Sequence, residues 1–92
     1  MAAQINIEVR EKGGGWECRV TVAEGGGKTV HTVTVDRAYR DKLAGPEGAV
    51  ESLVRRSFEF LLAREPKESI LRSFNLQVIS RYFPEYEKEM RS

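Results

Sequence analysis

The chain has 92 residues, with Lys+Arg 15 against Asp+Glu 14 and a formal net charge of +1. That length suits one domain with one modest core, and it leaves little scaffold for a deep substrate pocket of roughly 300–1,000 Å³. Leu, Ile, Val and Phe make up 23 of the 92 residues. That share sits above the roughly 20% below which a highly charged chain stays disordered, so the chain is expected to fold.

The first third alternates with period 2. Ile5, Ile7 and Val9 interleave with Asn6, Glu8 and Arg10. Trp16, Cys18, Val20 and Val22 interleave with Glu17, Arg19 and Thr21, and His31, Val33 and Val35 with Thr32 and Thr34. Such alternation in β-branched sequence marks strands with one buried face. Strands are predicted over about 4–11, 16–23 and 29–36. The glycine triplets Gly13–Gly15 and Gly25–Gly27 between them suit tight hairpin loops, read as three-residue loops of an antiparallel meander. Val30 falls on the wrong parity, which predicts a bulge in the third strand or a start after it.

Asp36 is positioned to cap a short helical turn through Leu43 that ends at Gly45-Pro46. Pro46 then suits the first turn of a main helix over about 46–64. On that helix the apolar residues from Phe60 round to Phe58 and Leu62 span an arc of roughly 200°, about twice the stripe of an ordinary surface helix. A single sheet covers half of such an arc, so the C-terminal segment or a second subunit has to cover the rest. Glu65-Pro66 breaks the helix. Short helices follow over about 67–73 and 76–83, the second capped by Asn75 and stopped by Pro84, and the polar tail 85–92 is expected to fray. The predicted fold is α+β, a three-stranded meander packed on one helix with short helical additions.

One cysteine, Cys18, allows no internal disulfide. The N-terminal residues lack the basic flank and apolar run of a secretory leader. The longest apolar run, Phe60–Ala63, falls far short of the about 20 residues of a membrane span. A cytoplasmic protein is the expectation.

The motifs favour structural roles. Gly25-Gly26-Gly27-Lys28-Thr29 resembles the end of a phosphate-binding loop, but Val22 occupies the position of its first glycine and the segment leads into a strand. Cys18 and His31 are too few for a zinc site. As a dyad across adjacent strands they would lack an orienting residue and an oxyanion hole. They read as a buried small hydrophobe and a core-edge or strand-end histidine. No carboxylate stands in an apolar stretch that would raise it toward general-acid duty. No catalytic residue, metal, cofactor or small-molecule substrate is indicated.

Arg37, Arg40 and Lys42 form the one basic excess, with Arg55 and Arg56 on the polar side of the main helix. Together they are the candidate contacts for an anion or a nucleic acid. The charge is otherwise balanced segment by segment, whereas nucleic-acid binders concentrate Lys and Arg on one element. The exposed sheet face would carry no stacking aromatics. Ser69–Tyr82 has the rhythm of a helix-turn-helix, yet its second helix offers only Gln77, Ser80 and Arg81 as base-reading residues. Tyr82, Phe83 and Tyr86 either cap the second face of the main helix or, because partly exposed aromatics are enriched at interfaces, form the candidate interaction surface.

The segment Phe58–Leu71, followed by Tyr82-Phe83-Pro84-Glu85-Tyr86, resembles the endings of a group of small uncharacterised bacterial proteins. The resemblance covers the C-terminal third and implies a bacterial origin without an activity. The meander-plus-helix plan is similar to the HicB-type antitoxin fold, an analogy of architecture. The sequence therefore favours a non-enzymatic protein-interaction module that binds a partner or itself, with a nucleic-acid-binding or antitoxin-like regulatory module as the alternative.

Overall fold

A computed structural model describes residues 3–91, so Met1, Ala2 and Ser92 lie outside the described residues. The fold is α+β. Strands β1 (Gln4–Lys12), β2 (Gly15–Glu24) and β3 (Gly27–Asp36) form the antiparallel meander. Helices α1 (Arg37–Ala44) and α2 (Val50–Leu62) follow, then a 3-10 turn over Lys67–Ser69. The chain closes with strand β4 (Ser73–Asn75) and helices α3 (Val78–Tyr82) and α4 (Tyr86–Arg91). The sheet order is β1-β2-β3-β4, with β4 parallel to β3.

The period-2 pattern becomes one buried face. Trp16, Cys18, Val20, Val22, Val33 and Val35 all point into the core, with His31 and Thr29 among them. Contrary to the parity expectation, β3 contains no bulge. It runs unbroken from Gly27 in register with β2, with Thr29 inward and Val30 on the open face. The hydroxyl of Thr29 is bonded to His31 at 2.8 Å, so this inward polar residue is satisfied in the core.

The glycine loops have two residues rather than three, and the third glycine of each triplet opens the next strand. Gly25 and Gly26 both take positive φ, the type I′ pattern, while Gly13 alone does so in the first loop. Gly15 is required for a different reason: a Cβ there would collide with the backbone carbonyl of Val35 on the adjacent strand.

Helix α2 starts at Val50, four residues later than the sequence suggests. Pro46 lies in a turn closed by the Gly48 N–H on the Gly45 carbonyl at 3.1 Å. Asp36 precedes α1 but makes no side-chain cap. Its carboxylate instead accepts from the Gln77 side chain at 3.2 Å and the Asn75 amide at 3.4 Å, tying β3 to the C-terminal segment.

The broad apolar arc of α2 is covered on both sides by its own chain. Phe58 faces the sheet, 5.3 Å from the His31 ring and 6.2 Å from Phe74 of β4. Phe60 meets Phe83 and Tyr86 edge-on at 5.7 and 5.3 Å.

The C-terminal third departs most from expectation. The predicted helix 67–73 is only a single 3-10 turn, followed by β4. That strand forms because the outer edge of β3 has backbone groups to satisfy. Thr32 N–H donates to the Arg72 carbonyl at 2.8 Å, and the Thr34 carbonyl accepts from Leu76 N–H at 2.9 Å. The Asn75 side chain accepts from Gln77 N–H at 3.0 Å, and this turn delivers α3, which starts at Val78 rather than at 76. The tail does not fray through residue 91. Tyr86 and Met90, one helical turn apart, are buried against α2.

Candidate interaction surface

The three aromatics at the chain end have separate fates. Tyr86 is wholly enclosed, its hydroxyl 2.6 Å from Ser57 Oγ, so it is a core residue and not a contact surface. Phe83 is half-buried against Phe60. Tyr82 is 67% exposed. Pro84 separates the two outcomes: it ends α3 after Tyr82 and redirects the chain so that Tyr86 opens a new helix facing α2.

Tyr82 borders an apolar groove of about 250 Å³. Leu61 from the end of α2 and Ile70 lie along it, together with Phe74 of β4 and Val78 and Ile79 of α3. Leu71 stands at its rim and is 48% exposed; Glu65 and Ser69 are the polar members. Leu71 and Tyr82 are two of the three large hydrophobics most exposed among the described residues, the third being Val9. Local sequence explains the exposure. Leu71 leaves the 3-10 turn in extended chain ahead of β4, and a five-residue helix such as α3 has only one inward position, taken by Ile79. The sequence carries no signal that marks Leu71 and Phe74 as site residues, because Ser73-Phe74-Asn75 lacks a strand pattern and it is β4 that places Phe74 in the groove.

The basic candidates are tied down individually. The Arg37 and Arg40 guanidinium carbons lie 4.6 and 4.8 Å from the Trp16 ring centroid, a pair of cation–π contacts. Arg40 is buried and donates to the Gly48 carbonyl at 3.0 Å and to Asp41 at 2.8 Å. Lys42 pairs with Glu87 at 3.0 Å. Arg55 donates to the Ile5 carbonyl of β1 at 2.7 Å and to Glu51 at 3.0 Å, and Arg56 donates to the Met90 carbonyl of α4. The structure brings Arg37 and Arg40 together over Trp16 and sets Lys42 and Arg56 along one open cleft between α1, α2 and α4. Arg55 serves the β1 edge instead. Each of these side chains already holds a partner within the fold.

Cys18 and His31 do not form a dyad. The register sets Cys18 opposite Val33, and His31 opposite Val20. Burial pushes the Cys18 thiol up to about 11, which removes thiolate character at neutral pH. His31 is fully buried in mid-strand rather than at a core edge, and both its ring nitrogens are used. Nδ1 lies 2.7 Å from the Leu71 carbonyl, which can only accept, so Nδ1 carries the proton and Nε2 accepts from Thr29. Burial holds the imidazole below its ordinary pKa. His31 thus fastens the segment before β4 onto β3 and sets Leu71 at the groove rim.

No helix among the described residues is long and apolar enough to cross a membrane. Within the same residues no group of three or more His, Cys, Asp or Glu is placed to hold a metal ion. Comparison of the chain with protein-family models, with curated proteins and with solved structures finds no match in any of the three.

Proposed function

We propose that the protein is a non-enzymatic protein-interaction module whose apolar groove, bordered by Tyr82 and Leu71, receives apolar side chains of a protein partner. The observation that carries this reading is the exposure of two large hydrophobics on the rim of a preformed apolar groove, in a fold that buries the rest of its α2 arc internally. Contiguous exposed apolar surface rimmed by polar groups is the usual mark of such a site. Aromatic anchors supply most of the binding energy in interfaces of this kind.

Affinity capture from lysate with and without nuclease, using the native chain, Tyr82→Ser and Leu71→Ser, tests it. A protein retained by the native chain and lost from both variants is the expected result. Retention that both variants leave unchanged refutes the groove. Retention abolished by nuclease assigns the binding to nucleic acid, the antitoxin-like alternative.

A further inference from the structure

The opposite edge of the sheet is open. Among the described residues the outer edge of β1 pairs with no strand; α2 reaches it through Arg55 at the Ile5 end, and Val9, further along, is 41% exposed. The two-residue loop makes Lys12 and Gly15 a hydrogen-bonded pair. Alternation along the ladder then points the backbone groups of Arg10, Glu8 and Asn6 at β2, and those of Glu11, Val9, Ile7 and Ile5 outward. The Ile5 carbonyl agrees with this parity, since the Arg55 guanidinium caps it from outside at 2.7 Å. The free row is therefore Ile7, Val9 and Glu11.

We infer that this row pairs antiparallel with the same row of a second copy of the chain, about a two-fold axis at Val9, making one continuous sheet. Two features select the occupant and its register. The first is charge. On the open face Glu8 stands opposite Arg19, and Arg10 opposite Glu17. With the axis at Val9, Glu8 of each copy meets Arg10 of the other, so signs alternate along a row of Glu17, Arg10, the partner's Glu8 and the partner's Arg19. Moving the axis to Glu8 or Arg10 sets like charges face to face, which is destabilising.

The second feature is the Arg55 cap. An axis at Ile7 would require the Ile5 carbonyl that Arg55 already holds. With the axis at Val9, Ile5 falls opposite the partner's Gly13, which has no side chain to displace the guanidinium. Glu8 joins no ion pair among the described residues, whereas Glu17 already holds both Arg10 and Lys12. Each copy thus offers one unpaired anion beside a cationic surplus. Charged side chains on an edge blunt its pairing with other strands; here their order matches itself when reversed, which favours a second copy over any other strand.

A pairing this short belongs to the weak end of the interface range, so it is read by sedimentation equilibrium over a series reaching millimolar protein. The native chain is expected to double its 10.4 kDa mass with concentration. Val9→Pro is expected to remain monomeric, since it removes an outward N–H and no bond to β2. A thermal melt of that variant confirms that it folds.

Oxidative cross-linking supplies the test if Val9→Pro does not fold. In a narrow antiparallel pair the Cα atoms lie about 5.5 Å apart, within disulfide range. Val9→Cys is expected to cross-link, and Ile7→Cys, more than ~13 Å from its own copy in this register, is not. Buried Cys18 leaves the native chain as the uncross-linked control. A monomer throughout the series, a Val9→Pro dimer of native strength, or equal cross-linking at positions 7 and 9 overturns the inference. Tyr82→Ser separates the two surfaces: it is expected to leave this dimer intact, and loss of the dimer in Tyr82→Ser would overturn the edge pairing by assigning the contact to the groove.

Discussion

Replacing Ser57 by Ala should cost more than replacing Tyr86 by Phe, and making both changes should cost less than their sum. Ser57 Oγ lies 2.7 Å from the Leu53 carbonyl one turn back, which can only accept, so the serine spends its proton there. The Met90 sulfur at 3.7 Å is the weaker alternative acceptor. The 2.6 Å contact with Tyr86 is then a bond donated by the phenol, and both residues are fully buried.

Tyr86→Phe removes a donor and leaves no buried group unsatisfied, a loss of about 0.5–1.5 kcal/mol. Ser57→Ala removes the acceptor and strands the phenol O–H in a dry contact, a loss of about 1–3 kcal/mol. In the double variant nothing is stranded. The coupling between the two changes is then favourable by on the order of 1 kcal/mol, within the range known for residues in direct contact. Urea unfolding of the four proteins measures it. In thermal melts each kcal/mol moves the midpoint by about 4–8 °C for a domain of this size. Strict additivity, or a Tyr86→Phe variant less stable than Ser57→Ala, would refute the assignment of donor and acceptor and with it the account of how α4 is held.

The glycines of the first triplet should part company. Gly15→Ala drives a Cβ into the Val35 carbonyl and should cost about 2 kcal/mol or more, while Gly14→Ala, with open space around it, should stay within about 0.5 kcal/mol; chemical denaturation distinguishes them. His31 is held below its ordinary value of 6.5 by burial, so the unfolded chain takes up a proton before the folded one does. Its contribution to stability is present above pH 6.5 and is lost as pH falls below it; in unfolding curves from pH 7.5 to about 5, the native chain should weaken more steeply than His31→Gln. The reverse slope, or identical slopes, would contradict a buried neutral imidazole.

The meander and the main helix were legible because their signals are repetitive. Three alternating runs and one broad apolar arc survive errors of a residue or two at their ends. The arc even announced that something must cover its far side. Strand β4 left no such trace. Ser73-Phe74-Asn75 has one apolar residue and no alternation, and it is a strand only because the β3 edge offers Thr32 N–H and the Thr34 carbonyl. Helix α4 was hidden for a related reason: Tyr86 and Met90 are two apolar positions in a run of charge, and their anchors, Ser57 and Arg56, lie some 30 residues away. The basic residues misled in the opposite direction. Adjacent in sequence, Arg55 and Arg56 reach different carbonyls on different elements, a commitment that spacing cannot reveal.

The parallel seam between β3 and β4 also sets an order of events. The hairpins close across two-residue loops, whereas Thr32 and Arg72 meet only after the whole α1–α2 crossover is in place. Contacts of such sequence separation form late and are the natural place for a fold to open locally. Opening there releases Leu71 from His31 and carries Phe74 away from the groove, so the groove exists only while the seam is shut. The exchange rate of the Thr32 amide proton is thus a direct meter of the population in which the groove is formed. A ligand seated in the groove slows that exchange in proportion to its occupancy, although it touches neither Thr32 nor the meander.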